Sequence, residues 1–524
     1  MNIPQGLPTL KWSGFVNIDL TRGVFVRLLA IFVIVYVVGL VFYRLCLSPL
    51  AKFPGPRLAA ATGLYETYHD VLRDGQFTWH IERLHQKYGP VVRINPWEVH
   101  VKDPENYSTL YAGATRKRNK DPWFTFIGLP YSIFSTDGYA LHRARRSVLG
   151  RFFTRQAILD LEPLIQANIR ALCRHFRNAQ RDHNSLELHS TFLCFTGDTV
   201  SQHAFGKQSG FHSLDQAELT ADRKTKMNSV FELLPVTRHF PWLCGLAHVF
   251  PFIAGLICAD FIGVYTQELE IQHMVRKAIQ ERGTGSSEKP KAIYPAILEN
   301  DRVHEDEKRF ARLADDAILL IAAGTDAPGR ALAMTLYFVL RNPEVHKKVR
   351  AELCASWPDA SVEPGLTVIE RLPYFTAVLK EGLRLAPVVS SRLPRIAPDE
   401  MMQFHGYEIP PGTLVSMTAY YILRDPNIFP EPLRFLPERW LLEPGDLRNL
   451  ERYLVTFSRG TLGCLGPSMC WAWLYLVLGT LLRKFEMRLY DTTERNLEVV
   501  RDKFLGQTRR GMNRIQIKVL REYT

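Results

Sequence analysis

The chain has 524 residues, 46% hydrophobic and 23% charged, which excludes intrinsic disorder and collagen-like repeats and leaves room for one large domain or several ordinary ones. Lysine plus arginine (65) exceeds aspartate plus glutamate (53), for a net charge of +12, a balance suited to anionic lipid, nucleic acid or an acidic protein. The eight cysteines contain no C-x-x-C pair; this excludes zinc and dithiol motifs, argues against a disulfide scaffold, and reads as an intracellular body with mostly buried free thiols.

After a leader of residues 1–23, residues 24–43 form an apolar run interrupted only by Arg27. About 20 helical residues cross a hydrocarbon core of about 30 Å, and Arg27, near one end, can reach the headgroups. The run predicts a transmembrane anchor. Its flanks, Lys11, Asp19 and Arg22 before and Arg44, Lys52 and Arg57 after, do not fix an orientation. Residues 44–58 contain Phe53-Pro54-Gly55-Pro56, a proline-rich hinge. A second apolar stretch, residues 240–257, contains Pro241 and Pro251 and reads either as core or as a segment lying on a membrane.

Residues 59–524 read as one mainly helical α+β domain with small β-sheets. The expected helices cover residues 139–180, most of 187–290, 303–341, a segment opened by Pro343, 366–386 and 467–484. Alternation predicts strands at 90–95, within 388–417, and at 515–520 as an edge strand. Residues 421–463 read mostly as loop. No zinc-finger spacing or recognition module accompanies the basic charge, which argues against a nucleic-acid partner.

The chemistry centres on Cys464, in Phe457-Ser-Arg-Gly460-Thr-Leu462-Gly463-Cys464-Leu-Gly466. Glycines let backbone pass close to a flat ligand. A helix amino terminus just beyond favours a thiolate, the form that ligates haem iron. Glu381-Gly-Leu-Arg384 places two charges on one helix face, and Pro437-Glu438-Arg439-Trp440 follows before the cysteine. With these motifs in this order, the chain resembles the cytochrome P450 superfamily of haem-thiolate monooxygenases. Segments 53–66, 116–124 and 489–504 resemble fungal secondary-metabolism enzymes of the trichodiene oxygenase type.

The resemblance implies haem b with Cys464 as axial ligand, and Phe457, Gly460 and Gly466 as cofactor-loop positions. It implies a buried Glu381–Arg384–Arg439 network. Arg146, with His142 at the position of a family tryptophan, and Arg395 would face the haem propionates. In Ala323-Gly324-Thr325-Asp326-Ala327-Pro328, Asp326 matches the proton-managing acid, with Thr325 and Ala327 beside it at the catalytic positions. Two departures stand out: Leu462 replaces a family arginine, while Ala327 and Pro328 replace hydroxyl residues. Pro328 is expected to kink its helix.

The implied activity is oxidation of an apolar small molecule, plausibly a terpenoid, with O₂ and electrons passed from NADPH through a reductase. The departures also fit a haem-thiolate protein that rearranges or cyclises its substrate, or a non-catalytic haem binder. The implied setting is the endoplasmic reticulum membrane, single-pass, as a monomer facing the cytoplasm. Expected pocket walls are Trp123, Phe124, Phe126, Phe134, Phe240, Trp242, Ala323, Val388 and Val389.

Overall fold

The computed structural model describes residues 18–219, 222–257, 259–283, 291–386 and 389–523; most of the leader, and Val388, lie outside them. A helix over Ile18–Phe42 runs into a π-helical turn at Tyr43–Leu47, and from Val24 onward its large apolar side chains face outward. Arg44 docks the end of this helix on the domain. Its guanidinium donates to Ala61 O (2.8 Å) and lies over Trp97, and its carbonyl accepts from Arg93 (2.8 Å).

The domain is built around Phe310–Arg341, a helix of 32 residues. Leu188–Phe205, whose 18 residues are all buried, crosses it. Close approach depends on glycine: a Cβ on Gly324 would meet Val200 Cγ2 at 2.7 Å, and one on Gly329 would meet the backbone N of Leu193 at 3.4 Å. The helix stays continuous through Pro328. Pro328 withholds a donor from the Gly324 carbonyl, while the Thr196 hydroxyl crosses from the neighbouring helix to the Thr325 carbonyl (2.8 Å).

A five-stranded sheet has the spatial order Val91–Arg93, Glu98–Val101, Leu414–Ser416, Arg395–Ile396, Asn119–Lys120. Only the pairing of Glu98–Val101 with Leu414–Ser416 is parallel. Met402–Phe404 and Tyr407–Ile409 form a separate hairpin. Contrary to the edge-strand expectation, Gln516–Glu522 is the central strand of a three-stranded sheet, between Ser185–Glu187 and Phe485–Tyr490. Alternation reports one buried face, here Ile517 and Val519, and is silent about neighbours on either side.

The second apolar stretch is not core. It forms two short helices, Trp242–Val249 and Pro251–Ile257, with Trp242 65%, Phe252 74% and Leu256 73% exposed. The expectation of mostly buried thiols also fails. Among the described residues all seven cysteines are free, but only Cys173 and Cys194 are buried.

Candidate active site

Cys464 lies between the helices Pro444–Glu451 and Pro467–Trp473. Its N–H donates to Phe457 O (2.9 Å), and Gly463 N–H donates to Gly460 O (3.1 Å). Gly460 has φ +73°, and a Cβ there would sit 2.0 Å from the Ala112 carbonyl oxygen. That carbonyl accepts the N–H of Thr461 (3.1 Å), so only glycine allows this close approach. Cys464 Sγ accepts the N–H of Gly466, the residue before the helix, at 3.4 Å. Desolvation raises the thiol pKa; the Gly466 N–H, Arg146 and the Leu465 N–H oppose that rise.

Glu381, in Pro373–Leu385, is completely buried and collects five hydrogen bonds. Arg384 donates to both of its oxygens (2.9 and 2.8 Å), Arg439 Nε at 3.0 Å, Leu436 N at 3.0 Å and Trp440 Nε1 at 2.9 Å. Arg384 also holds the carbonyls of Leu423 and Pro432. The segment before the cysteine loop is thereby tied to one helix. The Trp440 donor has no counterpart in the sequence reading; an indole nitrogen one residue after Arg439 was its only trace.

The long helix carries Ala323, exposed in mid-helix, and four residues later the half-buried Ala327, on one face. Thr325 points elsewhere: its hydroxyl donates to Ile321 O (2.6 Å), and its methyl packs at Gly197. Asp326 is buried, with Oδ2 3.2 Å from Arg330 and Oδ1 3.3 Å from His189 Nε2. Desolvation alone would raise the Asp326 pKa, but the Arg330 charge and then His189 hold it down at about 2.

Residues 55–512 match the family model for cytochrome P450. The chain belongs to the cytochrome P450 family. Its relatives include the tryptophan 6-hydroxylase fscE of Fusarium equiseti, 37% identical over 92% of this chain and 95% of the relative. The conidiogenone synthase PchP450 of Penicillium rubens is 35% identical over 93% and 98%, and the cytochrome P450 monooxygenase TRI4 of Trichoderma arundinaceum 34% over 92% and 94%. The protein is a P450 monooxygenase of the fungal secondary-metabolism kind, and its cofactor is haem b with the Cys464 thiolate as axial ligand.

The residues fit that cofactor. Lys120, His142, Arg146 and Arg395 gather on one side, and among the described residues none of the four forms a salt bridge. Desolvation depresses all four pKa values; neighbouring cations add to this for Lys120 and for His142, which falls to about 3, while weaker influences of Cys464, Tyr111 and Tyr107 oppose it for the arginines. Arg395 Nε is buried without a partner among the described residues. Buried cations without counter-charge are costly, a cost that the two carboxylates of a bound haem would offset. Arg146 itself donates to the carbonyls of Gly463 (2.7 Å) and Cys464 (3.0 Å). Lys120 escaped sequence reasoning because a single lysine in a two-residue strand carries no motif of its own.

Phe124, Phe126 and, at its margin, Phe134 and Val389 pack together with Met227, Phe231, Leu234, Phe504 and Leu505, against Ala322 of the long helix. Two expected walls lie elsewhere. Trp242 is on the outer surface, and Trp123 packs edge-on to Trp97 and His239.

Proposed function

We propose that this P450 hydroxylates, epoxidises or successively oxidises an apolar, carbon-rich metabolite of terpenoid type, with electrons from NADPH delivered by a flavoprotein reductase. The apolar cluster beside Ala322 carries this reading: phenylalanine and aliphatic side chains against the long helix favour a ligand chosen by shape and burial. Haem b, when bound, supplies dioxygen activation and oxygen-atom transfer. Cys464 ligates it as thiolate, with the Gly466 N–H directed at the sulfur. Lys120, His142, Arg146 and Arg395 hold the propionates, and the network of Glu381, Arg384 and Arg439 keeps the preceding segment in place. Asp326 manages protons on the distal side. Ala327 and Pro328 offer no hydroxyl, so water or a substrate hydroxyl completes the path.

We further place the haem domain, residues 59–524, as a monomer on the cytoplasmic face of the endoplasmic reticulum, anchored by residues 24–43. The exposed side chains of Leu58, Leu64, Leu72, Trp242, Phe252 and Leu256 support a membrane-facing surface.

Membranes bearing the protein, reductase and NADPH are incubated with terpenoid and indole precursors, and products are read by mass. An oxygen-dependent mass gain on a terpenoid is expected. Turnover confined to indoles or charged substrates rejects the terpenoid reading, and oxygen-independent product moves the assignment to rearrangement.

A further inference from the structure

Asp326 is held by an element outside its own helix. His189 is the second residue of Leu188–Phe205, nearly as buried as Asp326, and its Nε2 lies 3.3 Å from Asp326 Oδ1. Among the described residues neither atom has a hydrogen-bond partner of suitable alignment. Arg330 occupies the other carboxylate oxygen and is anchored by the Gly506 carbonyl (2.7 Å). The charged groups facing His189 are Asp326 and Arg330 from the long helix, Lys224 from Asp222–His239, and Glu187 from the adjoining strand. Glu187 accepts from the N–H groups of His189 (3.3 Å) and Ser190 (2.7 Å), pairs with Lys224 (3.0 Å), and is the most open member of the set.

We propose that His189 is a positioning residue for the monooxygenase reaction: with Arg330 it grips the two oxygens of Asp326, and the proton on its imidazole decides how tightly the acid is held. This rests on the reading of Asp326 as the distal acid. Neutral His189 offers one Nε2–H, which a carboxylate can leave and regain. Imidazolium adds a second cation to Arg330, and the carboxylate is then locked away from the oxygenation face. Ala327 and Pro328 supply no hydroxyl to replace it. Desolvation lowers the His189 pKa from its ordinary value of 6.5, opposed by Asp326, so the lock closes on the acid side of that value.

The test uses full-length holoenzyme and His189→Gln, which keeps an amide N–H but cannot titrate, beside His189→Phe, which keeps bulk alone. Product per NADPH consumed is measured from pH 5 to 8 (the range in which histidine titrates), with peroxide assayed beside it. His189→Phe is expected to lower coupling roughly tenfold, within the ~100-fold that a misplaced catalytic group can cost, with an unchanged carbon monoxide spectrum and unchanged substrate binding. His189→Gln should restore most coupling at neutral pH and lose the acid-side fall. Wild-type coupling and pH dependence in His189→Phe overturn the proposal. A thermal-stability cycle of His189→Phe with Asp326→Asn checks the contact without turnover. Non-additive losses are expected, and strictly additive ones overturn it. Absence of NADPH-dependent product in the wild type alongside a non-additive cycle defeats the monooxygenation reading instead.

Discussion

Lys120 and Arg395 are direct register partners across an antiparallel strand pair, so the sheet places two buried cations side by side. Lys120 Nζ donates to the carbonyls of Ile133 and Phe134, both at 2.9 Å, which neutralises none of its charge. Its pKa falls well below the ordinary lysine value, first by burial and then by Arg395 and Arg146.

Replacing Lys120 by methionine should therefore separate two stabilities. The haem-free protein should hold or gain stability, because a desolvated charge is removed. Haem should dissociate faster, by a factor of about ten to a hundred, the equivalent of a charged hydrogen bond worth ~1.5–3 kcal/mol. Haem transfer to apomyoglobin measures the second, and denaturant melts of apoprotein the first.

Leu462→Arg restores the guanidinium that the family carries in the cysteine loop. Slower haem loss is the expected outcome, in the same transfer assay, provided the new side chain reaches a propionate. An unchanged rate would show that Lys120, Arg146 and Arg395 already satisfy both carboxylates.

Glu381 is the acceptor for two arginines, an indole and a backbone N–H. Glu381→Ala leaves those donors unpaired and should cost about 3–5 kcal/mol, the loss seen when one partner of a buried pair is removed. The readout is the yield of protein showing the thiolate-type band of the reduced carbon monoxide complex. Trp440→Phe removes only one donor and should cost about 1–2 kcal/mol.

Acid sensitivity follows from buried neutral histidines. Burial pushes His85 and His203 down to about 4, below the ordinary histidine value of 6.5. Below that unfolded value the unfolded chain binds the proton and the folded chain does not, so stability is full above pH 6.5 and is lost as pH falls toward 4. Each such group contributes a slope of up to ~1.4 kcal/mol per pH unit. Among the described residues His203 has no carboxylate partner, and its ring nitrogen meets the Phe152 carbonyl at 3.2 Å. His203→Gln should flatten the pH dependence of unfolding by about one proton over that window, measured by denaturant titrations at stepped pH.

Removal of residues 1–43 should release most of the protein from carbonate-washed membranes, while Arg44 and its contacts with Ala61, Arg93 and Trp97 are kept. Residual attachment should disappear when Trp242, Phe252 and Leu256 are changed together to serine. Full retention after both changes would contradict the anchor.

Much of this protein is local and was therefore legible in the chain. The apolar run at 24–43, the glycines around Cys464, the three-residue spacing of Glu381 and Arg384 and the length of Phe310–Arg341 are properties of neighbouring residues, and short-range sterics and periodicity read them directly. Tertiary structure alone decided what meets across hundreds of positions. Alternation at Gln516–Glu522 marked a strand but not its two neighbours, and aromatic composition could not separate Phe124, in the apolar cluster, from Trp242, on the surface. Lys120 beside Arg395 and His189 against Asp326 carry no sequence signature, because burial and charge pairing are set by the packing of elements distant in the chain.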